Sequence, residues 1–306
     1  MRLAFNEDQT TFSTFLEQML ASDVCGFRPA PEWERLEYGD AIDVQLAENG
    51  FFDAAAEETL GPVMAAEMIF KIAQLPVAVE CAASALLRPN FASKLPRPIA
   101  VIEAEPHHPI RFLPMARSVI WLSQSKVRTA ILKDGDVQKA DTLFAYPMGV
   151  LNMAALTWDD VDTDAAKALD LWRIGVAAEL AGALKGGLNS VLEHVKERHQ
   201  FGRPLGSFQA VQHRLAQGVI EIDSARWLIL KAAQSQDPAD AALALAHTQN
   251  MATRIGYDLH QFMGAMGLTL EHPLHRWTYR ARLLRSALGG ASSAFGHYAD
   301  ARWGPA

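Results

Sequence analysis

From Asp164 onward apolar residues recur every three or four positions for nearly the rest of the chain, broken only at "QFGRPLG", "QDPAD" and "GAMGLTLEHP". A 3.6-residue period sustained that far, with short Gly/Pro breaks, predicts four or more long antiparallel helices packed side by side. Residues 1–90 are rich in Ala, Leu and Glu, and Phe12, Phe15, Leu16 and Met19 fall on one helical stripe. Between these parts the texture changes. "RPIAVIEAE", "SVIWLSQS", "RTAILKDGDVQKA" and "VLNMAAL", all within 97–157, are short β-branched runs punctuated by Pro, Asp-Gly and polar residues, as strands joined by turns would be. The fold expected is mainly α with a small β module: a helical domain over 1–96, a reduced β domain over 97–160 and a helical bundle over 161–306. "LRPNFASKLPRP" at 87–98 and "WDDVDTDA" at 158–165 read as linkers, the second offering Asp162, Thr163 or Asp164 as a helix cap.

Composition narrows the function classes. The chain has 306 residues, 50% of them apolar, enough for a sizeable core. A net charge of −7 lacks the excess of Lys and Arg that phosphate neutralisation requires, so no nucleic-acid partner is expected. Cys25 and Cys81 are the only cysteines and form no CxxC or Cys/His ligand spacing, which fits a reduced, cytoplasmic setting. Glu7, Asp8 and Glu17 interrupt the apolar character that a signal peptide needs. The most apolar run, "VMAAEMIFKIAQLPVAVECAASALL", is broken by Glu67, Lys71, Pro76 and Glu80 before it supplies the ~20 residues of a membrane span. No membrane association is expected. His107 and His108 are adjacent and flanked by prolines, a poor arrangement for converging metal ligands, so no metal is expected either. GxSxG, P-loop and GxGxxG patterns are absent.

Two stretches could carry chemistry. "RHQFGRPLGSFQ" brings Arg198, Gln200, Phe201, Phe208 and Gln209 to a helix-turn-helix corner, where a guanidinium and amides can hold a phosphate while the phenyl rings cover a flat ligand. Equally, Arg198 can simply complement the end of its helix, with both Phe residues in the core. "QFMGAMG" sets Gln261, Gly264 and Ala265 after a helix containing His260. Its small residues let a backbone approach a ligand closely, or merely end the helix.

Together these segments resemble acyl-CoA dehydrogenases. "ERHQFGRPLGSFQAVQHRLAQ" is similar to the family's flavin-edge motif and "QFMGAMGLTLEHPLHRW" to its later segment, in the right order over 164–285, while 1–157 follows only the family's helix, β, helix order. The resemblance implies an N-terminal helical domain, a β barrel and a C-terminal four-helix bundle that oxidise acyl-CoA thioesters with FAD. It assigns the adenosine and pyrophosphate half of FAD, held mainly by a neighbouring subunit, to Arg198, Gln200, Phe201, Phe208, Gln209, Gln261, Gly264 and Ala265. It also implies no catalytic residue here. The family's base is a Glu after the "EHP" helix or on the first bundle helix, and these positions hold Leu288 and Trp172, neither able to accept a proton. Glu179, seven residues beyond Trp172, is ~10 Å away along the helix.

The loop and strand that hold the flavin ring are not recognisable in 97–157, so the module is expected to leave no flavin-ring pocket. The chain thus resembles a shortened, non-catalytic subunit of a heteromeric, steroid-CoA type acyl-CoA dehydrogenase, sharing FAD with a second subunit that binds the acyl-CoA. The alternatives are a complete homomeric enzyme with a displaced base, such as Glu179, and a flavin-free scaffold.

Overall fold

Among the described residues three α-helices precede the sheets: α1 (Glu7–Ala21), α2 (Asp40–Glu48) and α3 (Gly61–Ile72). The computed structural model describes residues 4–21, 33–91, 95–103, 108–123 and 125–304. On α1 the expected stripe holds: Leu16 is buried, Phe12 and Met19 pack against the core, and Phe15 stays half exposed while stacking on Phe51 at 5.7 Å. Nine of the twelve residues of α3 are buried, which places it in the core. Cys81 is buried, and Cys25 lies outside the described residues.

Among the described residues the β module forms two sheets. Strands β1 (Ile99–Ile102), β3 (Ser118–Leu122), β4 (Val127–Ile131) and β7 (Asp159–Val161) form one, in the order β1-β3-β4-β7. Strands β2 (Ile110–Arg111), β6 (Met148–Leu151) and β5 (Val137–Ala140) form the other, in the order β2-β6-β5. Every residue of β1 is buried, because alternate side chains serve different cores. Ala100 and Ile102 join Leu113, Val119, Ala130 and Leu151 in a small cluster, whereas Ile99 and Val101 join the large helical core. One correction concerns 158–165. This is not simply a linker, since Asp159–Val161 pairs antiparallel with β4, Arg128 opposite Asp160. Its acidic residues are the exposed charges of an edge strand, which protect an open sheet edge from further pairing.

The C-terminal bundle begins with α4 (Ala165–Glu197), capped by Asp164, whose side chain accepts from the amides of Ala166 and Lys167 at 2.9 and 3.2 Å. Helices α5 (Gln209–Ser235) and α6 (Pro238–Met263) follow, then the shorter α7 (Leu274–Leu284) and α8 (Gly290–Trp303). At the breaks between them, the "QFGRPLG" region folds as a hairpin of β8 (His199–Gln200) and β9 (Arg203–Pro204). "QDPAD" supplies the Asp237 cap with Pro238 in the first turn, and Gly264, at φ 67°, ends α6. Helix α4 is buried over most of its length against α3, α5, α6 and α7. Helix α7 clamps the turn after α3: buried Arg280 donates to the carbonyls of Leu75 and Val77 at 2.6 and 2.7 Å, and the Trp277 indole to that of Gln74 at 2.9 Å. Among the described residues no helix is long and apolar enough to cross a membrane.

Candidate functional site

The residues singled out by sequence lie at two corners of the bundle. Arg198 is the C-cap of α4; its amide bonds the His194 carbonyl at 2.9 Å, and its exposed guanidinium has no partner among the described residues. The hairpin then turns through Phe201 (φ 56°) and Gly202 (φ 79°), both left-handed as a two-residue turn of this kind requires. Gln200 and Gln209 are exposed, Phe201 is 88% exposed, and Phe208 caps α5. Phe201 and Phe208 meet edge to face at 6.1 Å, and the Arg203 guanidinium covers the Phe208 ring at 4.0 Å. Neither Phe belongs to the core, which removes that part of the structural alternative.

Gln261, Gly264 and Ala265 are exposed at the end of α6. None of the first group touches them through a hydrogen bond or ring contact among the described residues. The two corners are tied one turn back instead, where Arg214 of α5 pairs with buried Asp258 of α6 and its guanidinium lies 5.1 Å from the Phe262 ring. A side chain added at Gly264 would meet nothing within 4 Å. These donors are of the kind that can hold a phosphate, and all of them are on open surface.

A second feature escaped the sequence reading. A cavity of about 520 Å³ separates the β module from the bundle. Glu103, just past β1, is the one carboxylate among its described lining residues. Its Oε1 accepts from the Trp172 indole N–H at 2.8 Å and its Oε2 from the Leu288 amide at 2.9 Å. The carboxylate therefore stands against the two positions at which the resemblance places a base, reaching them from a third direction. Leu288 presents its amide from a left-handed backbone, φ 54° and ψ 28°. The only hint in sequence is a carboxylate closing the apolar run "PIAVIE".

The cavity lies beside the β module, and Glu179 is not among its described lining residues: this buried side chain accepts from Arg111 Nη1 at 2.5 Å and from the Tyr146 hydroxyl at 2.7 Å. Burial, followed by the Glu179 charge, raises the Tyr146 pKa well above the ordinary phenol range, so it serves as a neutral donor. For Arg111, burial opposes the charge, but the Glu179 carboxylate outweighs it and the pKa is raised. His108 lines the cavity, while His107 lies outside the described residues. Among the described residues no group of His, Cys, Asp and Glu is placed to hold a metal.

Residues 163–294 match the family model for the acyl-CoA dehydrogenase C-terminal domain. The probable acyl-CoA dehydrogenase YngJ of Bacillus subtilis is 38% identical over 126 residues, 40% of this chain and 33% of that protein. Acyl-CoA dehydrogenase IpdE2 of Mycobacterium tuberculosis is 38% identical over 115 residues, 37% of this chain and 35% of that protein. These matches span about a third of the relatives' length. In fold the likeness is broader. A chain of the ChsE4-ChsE5 complex from M. tuberculosis superposes with a TM-score of 0.78 at 20% identity, covering 96% of this chain and 97% of that one. Butyryl-CoA dehydrogenase from Megasphaera elsdenii gives 0.74 at 19% identity, covering 98% and 99%. Residues 163–294 thus match the C-terminal domain of acyl-CoA dehydrogenases, and the chain shares the fold of these solved structures over nearly its whole described length.

Proposed function

We propose that the chain is a subunit of a heteromeric acyl-CoA dehydrogenase, completing the adenosine and pyrophosphate side of an FAD site whose ring and base belong to a catalytic partner. The carrying observation is the surface around Arg198: an exposed guanidinium and side-chain amides without partners among the described residues, and a phenyl ring that meets only Phe208, while the Glu103 carboxylate in the separate cleft is engaged by Trp172 and Leu288. Arg198, Gln200 and Gln209 would hold the pyrophosphate, and Phe201 and Phe208 the adenine side. Gln261, Gly264 and Ala265 would allow close approach along α6. Bound there, FAD supplies the electron acceptor for α,β-dehydrogenation. This chain's own residues bind and orient it. A bulky, steroid-type acyl-CoA is the proposed substrate, supported by fold likeness to the ChsE4-ChsE5 complex and to a Tcur3481-Tcur3483 steroid ACAD.

The test is flavin content. Alone, the chain should bind little FAD and turn over no acyl-CoA; assembled with a catalytic acyl-CoA dehydrogenase subunit, it should yield a flavinated, active complex. A hydrogen bond to a charged group contributes ~1.5–3 kcal/mol, so Arg198→Ala should weaken FAD binding by the complex roughly ten- to a hundredfold, with added FAD restoring the rate. Full occupancy at limiting FAD would leave Arg198 a helix-end residue and favour a flavin-free scaffold. The competing reading, a complete homomeric enzyme, must use Glu103 rather than Glu179, which Arg111 and Tyr146 hold away from the cavity. Turnover by the pure chain, lost in Glu103→Gln, would establish that reading instead.

A further inference from the structure

Three N–H donors gather at one end of the cleft. The Trp172 indole and the Leu288 amide both point at Glu103, at 2.8 and 2.9 Å. Beside them, the Arg111 guanidinium carbon lies 5.1 Å from the Trp172 ring centre. Arg111 is 11% exposed and lines the cavity; its Nη1 serves Glu179, but its buried Nη2 has no acceptor among the described residues. Buried donors are ordinarily satisfied, and a carboxylate, with about four lone-pair sites, can take all three. Glu103 takes two. Much of the remaining lining is aliphatic, including Ile102, Ile110, Leu122, Met148 and Leu169.

We propose that the Trp172, Leu288 and Arg111 donors form a receptor for an aliphatic carboxylate, which Glu103 occupies as a tethered ligand and thereby holds shut. The charges point the same way. Arg111 pairs with Glu179 and Arg173 with Asp170, so Glu103 supplies the unbalanced charge among the acidic and arginine groups at the cleft. An added anion therefore replaces Glu103 instead of joining it. Leu288 supports this too, for its left-handed backbone is one that non-glycine residues rarely adopt, and it aims the amide at the carboxylate. A volume of about 520 Å³ exceeds what the glutamate tip needs and leaves room for a medium-length chain. The inference requires neither FAD nor a second subunit, so it stands or falls apart from the function proposed above.

The test titrates hexanoate into the full chain while following the Trp172 indole ¹H–¹⁵N signal, assigned by its loss in Trp172→Phe. Because a tethered group competes at millimolar effective concentration, wild-type protein should respond only weakly. Glu103→Ala should displace the indole signal, bind hexanoate at least about tenfold more tightly than wild type, and return the signal toward its original position. Hexanol, with the same chain and no charge, should not reproduce this. Equal hexanoate affinity in wild type and variant, equal binding of hexanol, or an indole signal indifferent to Glu103→Ala would each overturn the proposal. Should Glu103→Ala fail to fold, Glu103→Gln keeps the volume but turns an NH₂ toward one donor, and the same outcomes apply.

Discussion

His272 shows how one side chain couples the start of a helix to pH. Its Nδ1 accepts from the Leu274 amide at 3.1 Å, capping α7, so the ring proton must be on Nε2, which faces Ser190 Oγ at 3.1 Å. Burial, with His194 and His275 nearby, lowers its pKa from 6.5 to about 4. The folded state therefore resists a proton that the unfolded chain takes up. Between pH 6.5 and about 4 the unfolded state binds more protons, so stability present above pH 6.5 is lost as the pH falls. Melting temperature should decline across that window, and His272→Asn, which keeps an acceptor for the amide without titrating, should flatten the slope. Some slope will remain, because burial also lowers the pKa of His194, His260 and His275. An unchanged pH profile in His272→Asn would show that the ring is not the titrating group.

Among elements, α4 decides how closely its neighbours approach. At Gly182 an added Cβ would lie 2.3 Å from the Phe70 carbonyl oxygen and 2.7 Å from the Ala73 Cβ, so α3 packs against bare backbone there. Gly256 of α6 differs, with nothing within 4 Å of its added Cβ. The same substitution should therefore have opposite signs. Gly182→Ala should destabilise by about 1–3 kcal/mol through overpacking, while Gly256→Ala should stabilise by about 0.5–1 kcal/mol through helix propensity. Thermal melts of both variants check this, and equal effects would mean that the α3–α4 contact yields easily.

Elements also mark how far sequence reasoning reaches. The bundle helices were legible because their period is local and their breaks carry Gly and Pro. The division of strands between sheets was not: Asp134-Gly135 looks like a hairpin turn, yet β4 on one side and β5 on the other enter different sheets. The Arg198 corner could be read because one short motif contains it. The cleft could not, since residues 103, 172 and 288 meet only through tertiary packing, and no local pattern joins them.

For the whole molecule, ion pairs tie distant parts together while the proposed flavin surface stays bare. Arg226 holds Glu67 by two 2.8 Å hydrogen bonds between α5 and α3, and Arg111 joins the β module to α4 through Glu179. Phe201 is the opposite case. Its ring is 88% exposed and its backbone is left-handed, so the isolated chain gains little from a phenylalanine there. The edge-to-face contact with Phe208 offsets about 0.5–1.5 kcal/mol, comparable with the backbone cost of about 1–2 kcal/mol for an L-residue in this conformation. Asn tolerates positive φ better, so Phe201→Asn should leave the melting temperature of the isolated chain within a few degrees of wild type or slightly above it. In the assembled complex the same variant should lower FAD occupancy, because the ring that covers the adenine side is gone. A fall in melting temperature with flavin content intact would instead give Phe201 a purely internal role beside Phe208. Measuring both quantities on one variant separates a residue retained for the fold from one retained for a surface that a second subunit and its cofactor complete.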